Sequence, residues 1–203
     1  MRQKPLLLVD IDGVISLFGF AGDDPGQGHS HSHGGVPWTG QVAHAEICYA
    51  TIDGIPHFLS RAAAGHLQSL ATEFDLVWAS GWEEKAEEHL PHLLGLPAGL
   101  PFLRFERGSG AGRSIDGHWK LDAIESYAGP RALAWIDDAF NAACHAWADA
   151  RPAPTLLVQT DPARGLTAAE AQLLAGWAGE PAPAGRRQAG VRDWLAPVTN
   201  RRR

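Results

Sequence analysis

Apolar residues recur along the chain in two rhythms. Leu6-Leu7-Leu8-Val9 and Leu76-Val77-Trp78-Ala79 are short unbroken apolar runs that stop at Asp10 and at Ser80-Gly81. Leu133-Ala134-Trp135-Ile136 stops at Asp137-Asp138, and Thr155-Leu156-Leu157-Val158-Gln159 stops at Thr160-Asp161-Pro162. Such runs mark strands buried on both faces. Phe102-Leu103-Arg104-Phe105 is a fifth, alternating candidate. Helical spacing fills the gaps. Leu59, Ala63, Leu67 and Leu70 line one face of a segment over residues 60–72. Further helices are predicted over 83–94, where Pro91 should kink or reset the helix, and over 120–127, 140–150 and 167–178. The last has Thr167 as N-cap with Glu170 three residues on.

Strands alternating with helices predict an α/β fold: a doubly wound, mostly parallel, five-stranded sheet of Rossmann-like form with helices on both faces. Functional groups in such sheets gather at the carboxyl ends of the strands, and here most strands end in Asp or Ser. Residues 16–58 interrupt the rhythm. Residues 19–40 are rich in Gly, Pro, Asp and His and read as a long loop. Residues 44–51 and 55–58 then flank Asp53-Gly54, the signature of a hairpin with a tight turn. The expected organisation is one domain over 1–180 carrying this loop and flap hairpin, then a Pro/Ala linker and basic tail over 181–203.

Charge divides the same way. The net charge of −6 averages 11 Lys/Arg against 22 Asp/Glu in residues 1–180 and 6 Arg against Asp193 alone in 181–203. The acidic body argues against a general nucleic-acid coat, whereas the tail either steers phosphate-rich ligands or serves simply as a solubilising disordered segment. About five apolar residues precede Asp10, too few for a signal-peptide core, and no run approaches the ~20 needed to cross a bilayer. Cys48 and Cys144 lack metal spacing and read as free thiols. A cytoplasmic location and no membrane partner are expected.

Asp10-Ile11-Asp12-Gly13 carries the sharpest chemistry. On extended backbone, residues two apart project to the same side, so two carboxylates leave one strand end together. They repel unless a proton or cation intervenes, and a hard divalent ion such as Mg²⁺ resolves this with phosphate oxygens and water completing the shell. The alternative is a plain strand-end turn at Asp12-Gly13. Ser80 can donate to a phosphate oxygen or simply cap a helix. Lys120 can neutralise a phosphate or lie on the surface, and Asp137-Asp138 is a second acid pair or an ordinary N-cap. The order acid pair, hydroxyl, lysine, acid pair, each at an element boundary, is what binds these readings together.

This order resembles the haloacid dehalogenase-like (HAD) superfamily of phosphohydrolases over about residues 5–178. An apolar strand ends in Asp10-Ile11-Asp12-Gly13-Val14, a second in Ser80, a lysine follows at Lys120 (Lys85 is its rival), and a later strand ends in Asp137-Asp138. Within the superfamily the chain is similar to the small HAD domains of RNA-repair proteins. The resemblance implies a Mg²⁺-dependent phosphomonoester hydrolase working through an aspartyl-phosphate. Asp10 would be its nucleophile and Asp12 its general acid/base. Ser80 and Lys120 would hold phosphoryl oxygens. Mg²⁺ would lie between Asp10, the backbone carbonyl of Asp12 and Asp137, with Asp138 reaching it through water or supporting those ligands from behind. An acid at Asp12 favours phosphoryl transfer over dehalogenation, which has no use for one. A receiver-like domain has similar groups, but its lysine comes last, whereas here Asp137-Asp138 follows Lys120.

Neither the segment after Asp12 nor the stretch from Ser80 to Lys120 leaves room for a full cap domain. A minimal cap and an open site are therefore expected, suited to a polymer end, nucleic acid among them, to a phosphoprotein, or to a small phosphorylated molecule closed in by a partner subunit. The alternatives are a non-catalytic or partner-dependent HAD module, or a nucleic-acid end phosphatase. Trp82 and Trp119 should lie near the mouth as packing or as a stacking platform, while Trp78 and Trp135 read as core. His29-Ser30-His31-Ser32-His33 has alternate imidazoles that can converge on Zn²⁺ or Ni²⁺, as a functional site or as adventitious affinity of a Gly-rich loop.

Overall fold

The computed structural model describes residues 3–18, 46–105 and 118–179. The His29–His33 run, the 181–185 linker and the basic tail lie outside these residues. The element order is β1 (Leu6–Val9), β2 (Ile47–Ile52), β3 (Ile55–Ser60), α1 (Arg61–Leu70), β4 (Asp75–Trp78), α2 (Glu84–Leu94), α3 (Leu121–Ala128), β5 (Leu133–Asp137), α4 (Ala142–Ala150), β6 (Thr155–Gln159) and α5 (Ala168–Gly179). Four strands form a parallel sheet in the order β4-β1-β5-β6, and β2-β3 form an antiparallel hairpin. The α/β class, the parallel sheet and the hairpin agree with the sequence pattern.

The expected fifth strand at Phe102–Phe105 is reduced, among the described residues, to one parallel bridge between Phe102 and Trp78. The Trp78 N–H donates to Pro101 O and the Leu103 N–H to Trp78 O. There β4 ends, and the Phe105 N–H donates instead to the Glu83 carboxylate. With no strand left to pair with, the ladder stops.

Side chains of β1 alternate across the sheet. Leu7 and Val9 join the core built from α1, α2 and α5, whereas Leu6 and Leu8 join the one built from α3 and α4. Helices therefore cover both faces, and fully burying each Leu stabilises the fold by about 1.5–3 kcal/mol. Trp78 and Trp135 are both core residues. Local chemistry sets the element ends. Ser60 caps α1 by accepting the Ala63 N–H, and the backbone N–H and hydroxyl of Thr167 both donate to Glu170 before α5. Asp53 and Gly54 adopt φ of 52° and 78° in a two-residue turn that pairs Ile52 with Ile55. Helix α2 runs on through Pro91, which lies in its last turn, and Gly95 ends it in a left-handed conformation. No described helix is long and apolar enough to cross a membrane.

Candidate active site

The parallel register aligns the strand ends. Asp10 N–H donates to Ile136 O and Ala79 N–H to Val9 O, so Asp10, Ser80 and Asp137 leave adjacent strands along one carboxyl edge. After Asp10 the chain turns tightly, with the N–H groups of Val14, Ile15 and Ser16 all donating to Ile11 O. Gly13 sits in this turn at φ +72°, and a Cβ there would lie 2.5 Å from the Asp138 Cβ. Glycine is required both for the left-handed backbone and for the close packing of the two acid-bearing loops. The Thr160 hydroxyl, just after β6, donates to Gly13 O and fastens the turn.

Lys120 joins the first and last motifs. Its Nζ lies 2.8 Å from Asp10 Oδ2 and 2.7 Å from Asp137 Oδ2, and all three residues are buried. A lysine at the start of a helix opposes the helix dipole, and a buried one is costly. The two carboxylates account for its place there. Asp137 is fixed through its other oxygen, which accepts the Ala139 N–H. Lys85, the sequence rival, instead pairs with Asp53 at the hairpin turn on the surface. Burial pushes the Asp10 carboxyl above its ordinary value and the Asp137 charge adds to this, while Lys120 pulls it back.

Asp10, Asp137 and Asp138 each present a carboxylate oxygen within 4.8 Å of the others. The donors are all hard oxygens, the chemistry Mg²⁺ prefers. Three negative charges beside one ammonium leave the cluster two charges negative, which a divalent cation balances. These residues fit Mg²⁺. The Asp12 carboxylate stands outside this cluster. It is half-buried and accepts the Trp82 indole N–H at 3.1 Å. Burial and the nearby Asp10 charge raise the Asp12 pKa, against opposing pulls from Trp82, His57 and Lys120. A carboxyl that holds its proton above the ordinary range is suited to act as an acid.

Ser80 is buried and its hydroxyl has no hydrogen-bond partner. The other unpartnered buried side-chain atoms among the described residues are the indole nitrogens of the core residues Trp78 and Trp135, and Arg131 Nε. Only Ser80 stands at the carboxyl edge. A buried hydroxyl without a partner is expensive unless a ligand supplies one. Ser80, Asp10, Lys120, Asp137 and Asp138 are therefore brought together, with Asp12 at their margin.

Over residues 6–171 the chain matches the family described as the HAD domain in Swiss Army Knife RNA repair proteins. The chain belongs to this family. It is thus a HAD-like hydrolase domain related to those of RNA repair, a class that performs phosphoryl transfer and typically uses Mg²⁺. No curated protein and no solved structure matches the chain.

Sequence spacing did not disclose what two aromatic residues contact. Trp82, expected at the mouth, turns inward to Asp12, and the His57 ring packs edge-on against it with centroids 4.7 Å apart. His57 comes from β3, so the hairpin reaches the site. Trp119 remains exposed, held edge-on by Phe105 at 4.6 Å, with Lys120 Nζ 5.1 Å from its ring centroid.

Proposed function

We propose that this domain is a Mg²⁺-dependent phosphomonoester hydrolase acting through an aspartyl-phosphate. The observation that carries this reading is the buried Lys120 ammonium bridging Asp10 and Asp137, with Asp138 completing a trio of oxygen donors. Asp10 attacks phosphorus; the bond to the leaving oxygen breaks, and that oxygen takes the Asp12 proton. Asp12, now a carboxylate, removes a proton from water as the water oxygen attacks the same phosphorus. The phosphorus–Asp10 bond breaks, freeing inorganic phosphate and restoring both carboxyl groups. Lys120 and the unpartnered Ser80 hydroxyl donate to the phosphoryl oxygens, positioning and charge stabilisation being the main demands of phosphoryl transfer. Asp10, the Asp12 carbonyl, Asp137 and Asp138 would hold Mg²⁺, which supplies charge neutralisation to an otherwise repelled phosphate. The test is phosphate release from an aryl phosphate with and without Mg²⁺. Release should need the metal and fall to background in Asp10→Asn; full activity in that variant would exclude Asp10 as nucleophile.

One observation favours a nucleic-acid end as the substrate. Trp119 adjoins Lys120 in sequence yet is 56% exposed, a rigid aromatic face beside the reacting groups. Such a face stacks bases without regard to sequence, and the family description refers to RNA repair. Phosphorylated oligonucleotides should then give a higher kcat/KM than aryl phosphate, and Trp119→Ala should erase the difference.

A further inference from the structure

We propose that Trp82 is a positioning residue, holding the Asp12 carboxyl in the orientation from which it protonates the leaving group. The inference rests on the hydrolase reading above but concerns a residue outside its acid, hydroxyl and lysine motifs. The Trp82 Nε1–H donates to Asp12 Oδ2 at 3.1 Å across 70 positions of sequence. Asp12 sits within the tight turn after β1, at the half-buried margin of the site, and the indole holds one of its carboxylate oxygens. A carboxyl that must first give and then take a proton needs its geometry fixed, because proton transfer demands heavy-atom approach near 3 Å.

Trp82 is itself clamped from two sides. On the hairpin side the His57 ring packs edge-on against the indole, and His57 Nδ1 lies 3.0 Å from Ser16 Oγ, four residues beyond Asp12. Ser16 is tied to the same hairpin by its bridge to Leu59, and the Leu17 N–H donates to Phe58 O. On the chain side, the next residue, Glu83, holds φ +51° and ψ −124°, a left-handed-side conformation unusual for a side-chain-bearing residue. Such strain persists only where the surroundings enforce it. Here the Glu83 carboxylate accepts the Phe105 N–H, and the Lys85 and Ala86 N–H groups donate to Trp82 O and Glu83 O. The strained turn between Ser80 and α2 thus carries the indole to Asp12. The hairpin keeps the indole there.

The experiment uses the full chain with a series of phosphate monoesters running from p-nitrophenyl to alkyl leaving groups. A good leaving group departs without help, whereas an alkoxide needs the acid. In Trp82→Phe, kcat/KM, which reports the first transfer, should fall about ten- to a hundredfold for alkyl phosphates, part of the 10²–10⁴ that general acid catalysis contributes. It should change little for p-nitrophenyl phosphate. His57→Ala should show the same pattern more weakly. Asp12→Ala is the control: its loss must also steepen with poorer leaving groups. A uniform loss in Trp82→Phe beside a steepening loss in Asp12→Ala would overturn the role of Trp82 and leave the hydrolase reading intact. A flat Asp12→Ala series would instead refute the acid role of Asp12. An activity-independent arm follows the indole ¹⁵N–¹H signal of Trp82, assigned by its disappearance in Trp82→Phe. The signal should move in Asp12→Ala, and an unmoved signal would refute the hydrogen bond. Should Trp82→Phe not fold, Trp82→His serves for the assignment and the kinetics.

Discussion

Lys120 shows how one residue can tie stability to chemistry. Its ammonium neutralises two carboxylates that would otherwise be buried beside each other. Removing one member of such a cluster leaves unpaired buried charge, at about 3–5 kcal/mol. Lys120→Met should lower the urea unfolding free energy by that order in Mg²⁺-free buffer and abolish turnover. Added Mg²⁺ should recover more stability in this variant than in the unsubstituted chain, because a cation then faces three uncompensated carboxylates. Asp138 makes the complementary case. Its pKa is raised by burial and by the Asp10 charge above the ordinary 3.8. Between 3.8 and the raised value the folded state holds the extra proton, so this contribution to stability declines as pH rises through that window. Asp10 and Asp12 are raised too and act in the same direction. His118 is depressed below its ordinary 6.5, chiefly by burial, and acts oppositely just beneath 6.5. Comparing Asp138→Asn with the unsubstituted chain isolates one group. Without Mg²⁺ the variant's melting temperature should gain on the parent's as pH climbs above 3.8. With saturating Mg²⁺ the order should reverse at neutral pH, because the variant has lost a ligand.

At the scale of elements, the turn after β1 and the loop after β5 are built against each other. Gly13 is the point of contact, where a Cβ would collide with Asp138. Gly13→Ala should cost about 1–3 kcal/mol through backbone strain alone and push Asp138 outward. Isothermal titration should then show weaker Mg²⁺ binding in the variant. Stability loss with unchanged metal affinity would show that the packing is merely structural. Strand ends, the Asp53-Gly54 turn and the Thr167/Glu170 cap are legible in the sequence, since each depends on neighbours within a few residues. The acid pairs and Ser80 are legible too, because buried parallel strands deliver their last residues to one edge. Phe102–Phe105 has strand-like spacing but, beyond Trp78, no partner strand. The choice between Lys120 and Lys85 turns on which helix start faces the edge. The partner of Trp82 is 70 positions away, a distance no local pattern spans.

For the whole molecule, the uneven distribution of charge gives the proposed metal site a role beyond the reaction itself. The acidic excess over residues 1–180 repels a polyanion, and Asp10, Asp12, Asp137 and Asp138 belong to it. A bound divalent cation relieves that repulsion only locally, where a single phosphate must approach. A long nucleic acid still has to cross an acidic body, and the concentrated positive charge available to it is the six arginines at 186, 187, 192 and 201–203. If the substrate is a strand end, those arginines supply the long-range attraction while Trp119 and the edge cluster supply the local fit. Replacing all six by Gln should therefore raise KM for a phosphorylated oligonucleotide and flatten its dependence on salt, since fewer counterions are released on binding. Turnover of p-nitrophenyl phosphate, which needs no polymer contacts, should be unchanged. Equal salt dependence in the two proteins would show that the arginines do not engage the strand. In that event the site serves a small phosphate ester, which reaches it without help from the tail.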